Sequence, residues 1–185
     1  MSKQITVLPL LLLLGLSLPL VSHAQEGGGS LPELLGDEGI EVVVGPSTKE
    51  LDPVAVPAAA CVGAGELCTS AISILRNDLT LSGFFHIVNP DTYLVDPKAE
   101  DINTPDYSAW FDVGAKYLVR AHMESTDKGT NIEFRLYNVV NKEKVVTGSD
   151  SWKNVPRGQV RAKVHAFANA VIEALTGMPG IFGTQ

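Results

Sequence analysis

Basic residues are scarce: 14 Lys and Arg stand against 21 Asp and Glu in 185 residues, a formal charge of −7 at neutral pH. Nucleic-acid binding needs clustered cations to displace phosphate counterions, so that class of function is excluded. Long apolar runs are equally few. One extends from Ile5 to Val21 behind Lys3, and no other window is long enough to cross a bilayer. Ser22-His23-Ala24 follows with small residues at both positions read by a signal peptidase. The first 24 residues therefore read as a secretory signal peptide cut after Ala24, with an uncleaved anchor as the other reading. Loss of Lys3 moves the charge to −8, and no cysteine follows closely enough for a lipoprotein.

The motifs of small-molecule chemistry are missing as well. No Gly-x-Ser-x-Gly occurs, and Ser82-Gly83, half of that motif, ends a helix instead of opening one. Of the mature histidines His86, His122 and His165, only His122 has an acid, Glu124, two residues away on the same strand face, too few groups for a closed metal site. Gly63-Ala64-Gly65 lies between strand and helix where a phosphate could sit. The third glycine of a dinucleotide fingerprint is absent, Cys68 stands in its place, and Glu66 puts negative charge there, so the stretch reads as a loop before a helix. Neither cofactor, metal nor small-molecule substrate is expected.

Only two cysteines occur, Cys61 and Cys68. An exported chain can keep a disulfide, but two cysteines seven apart on one helix would stand ~10 Å from each other, too far to bond. Pairing requires Cys61 to lie ahead of the helix; otherwise the two are small buried thiols. A small redox or hydrolytic protein using this pair is the alternative functional class.

What is present is a regular pattern. Cys68, Ala71, Ile72, Leu75 and Leu79 recur at three and four residues, the stripe of a helix that Ser82-Gly83 ends. The run from Phe84 to Val88 is apolar on both faces, which predicts a strand covered on two sides, inside the fold and parallel to residues 54–58. Residues 89–103 read as a surface loop. A short helix follows, with Thr104 as N-cap, Pro105 at its first position and Gly114 at its end. Tyr117, Val119, Ala121 and Met123 alternate with residues of a wetter face, and Ile132, Phe134 and Leu136 do likewise beyond the turn Asp127-Lys128-Gly129. Residues 145–152 form a last strand and complete a meander. From Val160 to Leu175 the helical period is the strongest in the chain. These elements predict one α/β (α+β) domain: a mixed sheet of five to six strands, two long helices and one short helix.

Residues 25–39 open on Gln25-Glu26-Gly27-Gly28-Gly29-Ser30 and read as a flexible linker, so the domain spans residues 40–185. Its first stretch, Ile40, Glu41, Val42, Val43 and Val44, is a short β-branched strand broken by Gly45 and Pro46. It serves either as a weakly held edge that adds to a partner's sheet or as an ordinary first strand.

Four stretches together resemble the amino-terminal domain of TolB: residues 74–88, 106–119, 131–140 and 161–184. Within them stand Asp-Leu-x-x-Ser-Gly-x-Phe at Asp78 to Phe85, the spacing from Trp110 to Gly114, and Leu175-Thr176-Gly177 with Gly180 and Phe182. The resemblance implies an anticodon-binding-domain-like fold. It also implies a non-enzymatic periplasmic component of the Tol-Pal system, which serves outer-membrane integrity, cell division and protein import. In that family the extended segment at the mature N-terminus binds the C-terminal domain of TolA, which carries the role onto Ile40, Glu41, Val42, Val43, Val44, Gly45 and Pro46. The family's propeller, which binds Pal, begins just after the Phe-x-Thr element, whereas this sequence ends at Gln185. A Pal-like lipoprotein or a separately encoded propeller is a further expected partner.

Overall fold

A computed structural model describes residues 50–183. The stretches expected to be signal peptide and linker, and the segment from Ile40 to Pro46, lie outside the described residues.

Two helices cover one face of a mixed sheet. Helix α1 (Gly65–Leu81) buries Cys68, Ala71, Ile72, Leu75 and Leu79, the stripe the spacing predicts, and adds Asp78. Helix α3 (Val160–Thr176) buries Val160, Val164, Phe167, Ala168, Val171 and Ile172, and ends where Gly177 takes the left-handed conformation. Each fully buried Leu or Val contributes about 2 kcal/mol of transfer free energy, so these stripes dominate the stability.

Strands β1 (Asp52–Ala55), β2 (Ala60–Val62), β3 (Phe85–Ile87), β4 (Tyr117–Thr126), β5 (Gly129–Asn138), β6 (Glu143–Val145) and β7 (Ser151–Val155) make one seven-stranded sheet. The path runs β3-β1-β4-β5-β6, while β2 also pairs with β4 and β7 with β5. The predicted class stands. The strand number rises because Ala60–Val62 adds a short strand and the last strand divides in two.

Four expectations are corrected. First, β3 pairs in parallel with β1 as predicted, Pro53 opposite His86, but it ends the sheet instead of lying within it. Phe85 faces the main core and Val88 enters a smaller one, while His86 between them is exposed, so the second face is covered at one end of the run only. Second, the N-cap of the short helix α2 (Tyr107–Asp112) is Asp106, whose carboxylate accepts from the Ser108 and Ala109 amides; Thr104 lies further upstream and is exposed. Third, the second face of β4 is dry in its first half. Leu118 and Arg120 are buried there because the chain around Tyr93 and helix α2 fold over them, forming a smaller core of Ala55, Val88, Trp110, Leu118, Tyr137 and Val139. Fourth, the strand expected at 145–152 is split: β6 pairs with Leu136 to Asn138, and β7 pairs with Thr130 to Glu133 beyond a bulge.

The main core lies between helices and sheet, where Phe134 of β5 stacks on Phe167 of α3 at 4.4 Å between ring centres. Such a pair contributes about 1 kcal/mol beyond its buried area.

Candidate interaction surface

Where the described chain begins, Glu50 and Leu51 lead into β1 beside the sheet's terminal strand. A hollow of about 400 Å³ opens there, lined among others by Leu51, Pro53, Phe111, Lys116 and Val140. Phe111 is 58% exposed and Val140 55%, so the hollow presents apolar surface to solvent. Its cation is fixed: Lys116 Nζ lies 2.7 Å from Asp52 Oδ1, and that hydrogen bond holds the ammonium above its ordinary pKa. The His86 ring nitrogen Nδ1 sits 3.2 Å from the Leu51 carbonyl oxygen, tying β3 to the strand entrance. The expected partner-binding residues Ile40 to Pro46 precede this point and lie outside the described residues.

The two cysteines are joined, with Cα atoms 6.4 Å apart. The bond forms because Cys61 stands on β2, ahead of the helix, while Cys68 faces inward one turn into α1. Among the described residues no free thiol remains as a nucleophile. A cleft of about 1010 Å³ follows the outer side of β2 and α1, past Val62, Ile72 and Arg76. Its guanidinium is spent on structure, Arg76 Nε and Nη2 both donating to the Val56 carbonyl at 2.8 and 2.6 Å.

Sequence reading missed the polar cluster that anchors the loop over β4. Arg120, 2% exposed, donates through Nη2 to the carbonyls of Pro97 and Glu100 at 2.7 and 2.8 Å. Its Nε lies 3.3 Å from Glu100 Oε2, an ion-pair distance, yet is misdirected for a hydrogen bond. The same Glu100 carboxylate accepts from Trp110 Nε1 and from the Asp106 amide. Burial lowers the Arg120 pKa, and Glu100 acts against that shift. Beside it the Tyr137 hydroxyl donates to the Ile102 carbonyl at 2.6 Å, and burial pushes its pKa up to about 12. An arginine at a position alternating with apolar ones was the available signal, but its partner twenty residues earlier was not readable.

The histidines do not converge. His86 is at the edge, His122 stands opposite Glu133 on the sheet, and His165 Nδ1 lies 2.6 Å from Asp78 Oδ2, linking α3 to α1. Among the described residues no group of three or more His, Cys, Asp or Glu side chains could hold a metal ion. Ser82 Oγ donates to the Leu79 carbonyl and closes α1, as expected of a terminator.

Comparison with known proteins places this arrangement. A model of the TolB amino-terminal domain family matches residues 40–145. The Tol-Pal system protein TolB of Anaeromyxobacter dehalogenans is 32% identical over 157 residues, 83% of this chain and 35% of that protein. The Tol-Pal system protein TolB of Chromobacterium violaceum is 34% identical over 114 residues, 60% of this chain and 25% of that protein. The crystal structure of TolB from Acinetobacter baumannii superposes with a TM-score of 0.51 at 25% identity, over 72% of this chain and 30% of that one. The chain thus spans about a third of the length of the first curated relatives it matches. With more than half of its residues matched by the family model, this chain belongs to the TolB amino-terminal domain family.

Proposed function

We propose that this chain is a non-enzymatic interaction module of the Tol-Pal system in the periplasm, serving outer-membrane integrity, cell division and import. It is delivered there by the signal peptide of residues 1–24 and reached through the linker of residues 25–39. Its binding element is the segment Ile40, Glu41, Val42, Val43, Val44, Gly45 and Pro46, which adds as an extended strand to the C-terminal domain of a TolA-like protein. A Pal-like lipoprotein or a separate propeller is a second partner.

The observation that carries this reading is where the family match starts: at Ile40, the first residue of the β-branched stretch, and not at the first described strand. The hollow beside Leu51, Phe111 and Val140 supports it by offering apolar surface where the described residues begin. Calorimetric titration of the mature chain with a TolA C-terminal domain should give saturable binding that disappears when residues 25–47 are deleted. Binding that survives the deletion would remove the assigned segment.

A further inference from the structure

We propose that the free edge of β2, lying along the cleft beside α1, receives an extended protein segment as an antiparallel strand. That segment carries a basic group at its amino end and an acidic group at its carboxyl end. The site does not involve the residues from Ile40 to Pro46 and stands apart from the function proposed above.

Strand β2 pairs with β4 on one side, Ala60 opposite His122 and Val62 opposite Glu124, and on its other side it has no strand partner among the described residues. That side is bare because β3 stops short. It covers the same edge of the sheet only from Asp52 to Val54, and its last bond runs from the Val88 amide to the Val54 carbonyl. Both backbone groups of Val56 are then closed off, the amide donating to the Tyr93 hydroxyl and the carbonyl accepting from Arg76. Pairing is thereby confined to the stretch beyond Val56. An open row of strand amides and carbonyls is a template for one more strand.

The cleft of about 1010 Å³ runs along this edge. Ala58 and Ala60 belong to its lining, so small side chains leave the backbone within reach, while α1 forms one wall and Lys98, from the loop over β4, stands on the other. The Cys61–Cys68 bond ties the edge to the helical wall, which sets their spacing before anything binds. Thr69 and Ser73 spend their hydroxyls on carbonyls one turn back in α1, so the strand edge is the main hydrogen-bonding surface on offer. A segment of about five residues, three to pair and one beyond each end, spans about 17 Å. β-Branched residues suit its middle, because they favour extended chain.

Charge sets the direction of the added strand. Glu66 stands in the first turn of α1, just past the end of β2. Arg76 and Lys98 stand at the opposite end: Arg76 bonds Val56, upstream of β2, and Lys98 follows Pro97, whose carbonyl bonds Arg120, two residues before the His122 that faces Ala60. No ion pair engages any of the three among the described residues, and the hydrogen bonds of Arg76 go to a neutral carbonyl, which leaves its charge uncompensated. A strand antiparallel to β2 brings its amino end to Glu66 and its carboxyl end to the two cations. A parallel strand of the same sequence would reverse both contacts.

The experiment is an amide-resonance titration of the mature, disulfide-bonded chain with the peptide acetyl-Lys-Val-Thr-Val-Asp-amide. Saturable shifts are expected at Ala60, Cys61 and Val62 and along the outer face of α1. N-methylation of alternate peptide residues should abolish binding in one phase and spare it in the other, as a paired strand edge requires. Lys98→Glu and Glu66→Lys, both at exposed positions, should each weaken binding about fivefold. Neither should affect a peptide with Gln in place of its Lys and Asp. Absence of saturation at millimolar peptide, equal binding of the two N-methylated forms, or an affinity indifferent to both charge reversals would overturn the proposal. Dimerisation that excludes the peptide would overturn it in favour of a second copy, and binding seen only once residues 25–47 are removed would do so in favour of the chain's own leading segment.

Discussion

Reducing the Cys61–Cys68 bond should destabilise the domain by a predictable and modest amount. The bridge closes a loop of separation seven, and its contribution comes mainly from restricting the unfolded chain. For a ring of about eight residues the chain-entropy relation gives about 2.5 kcal/mol at 25 °C. Across roughly 135 folded residues the unfolding entropy near the midpoint converts this into a fall in Tm of about 9 °C. Little in the native state offsets the loss, because β2 contributes only three paired residues and α1 starts without a side-chain cap. Scanning calorimetry of the oxidised chain, the chain held in reductant, and a Cys61→Ala/Cys68→Ala double variant checks this. The reduced chain should melt about 9 °C lower, and the double variant lower still, since replacing buried Cys68 also removes packing. A Tm unchanged within about 2 °C would refute the entropic reasoning, because it would mean the loop is fixed as firmly without the bond.

Arg120→Ala removes a buried guanidinium from the Glu100 carboxylate and from the Pro97 and Glu100 carbonyls and should cost about 3–5 kcal/mol in urea unfolding, whereas removing an exposed ion pair such as Lys116–Asp52 should cost at most about 1 kcal/mol. Tyr137 favours its neutral form in the fold, with a pKa of about 12 against 10.0. Its contribution is therefore complete below pH 10 and is lost as pH rises from there through about 12. Alkaline unfolding curves should show that loss in the native chain and a smaller one in Tyr137→Phe. Asn169 holds the tail on α3 by accepting from the Phe182 amide and donating to its carbonyl at 3.0 and 2.8 Å. Asn169→Ala should cost about 1–3 kcal/mol and open residues 178–183 to proteolysis, read by mass spectrometry of the fragments.

Local pattern carried the two long helices and the β4–β5 hairpin, since their apolar spacing records burial against one surface. It failed where burial depends on distant chain. Leu118 and Arg120 gave no sign that a loop from twenty residues upstream would roof them, so β4 read as having one wet face. Phe84 to Val88 read as central because apolar residues stand on both its faces, although the strand ends the sheet and His86 faces out at the rim. The cap moved from Thr104 to Asp106 because the Asp carboxylate reaches two amides of α2 while its own amide is taken by Glu100. Cysteine spacing left the disulfide open, and only the placement of Cys61 on β2 decided it. The Ile40 to Pro46 assignment came from resemblance, not from its composition, which an ordinary first strand shares.

The most direct measurement is a competition between this domain and a synthetic peptide of residues 39–47 for a TolA C-terminal domain, followed by fluorescence anisotropy. The peptide should displace the domain completely, and a version carrying Val42→Asp and Val43→Asp should not. Full retention of the complex at saturating peptide would contradict a binding role for the leading strand and shift the contact onto the folded body.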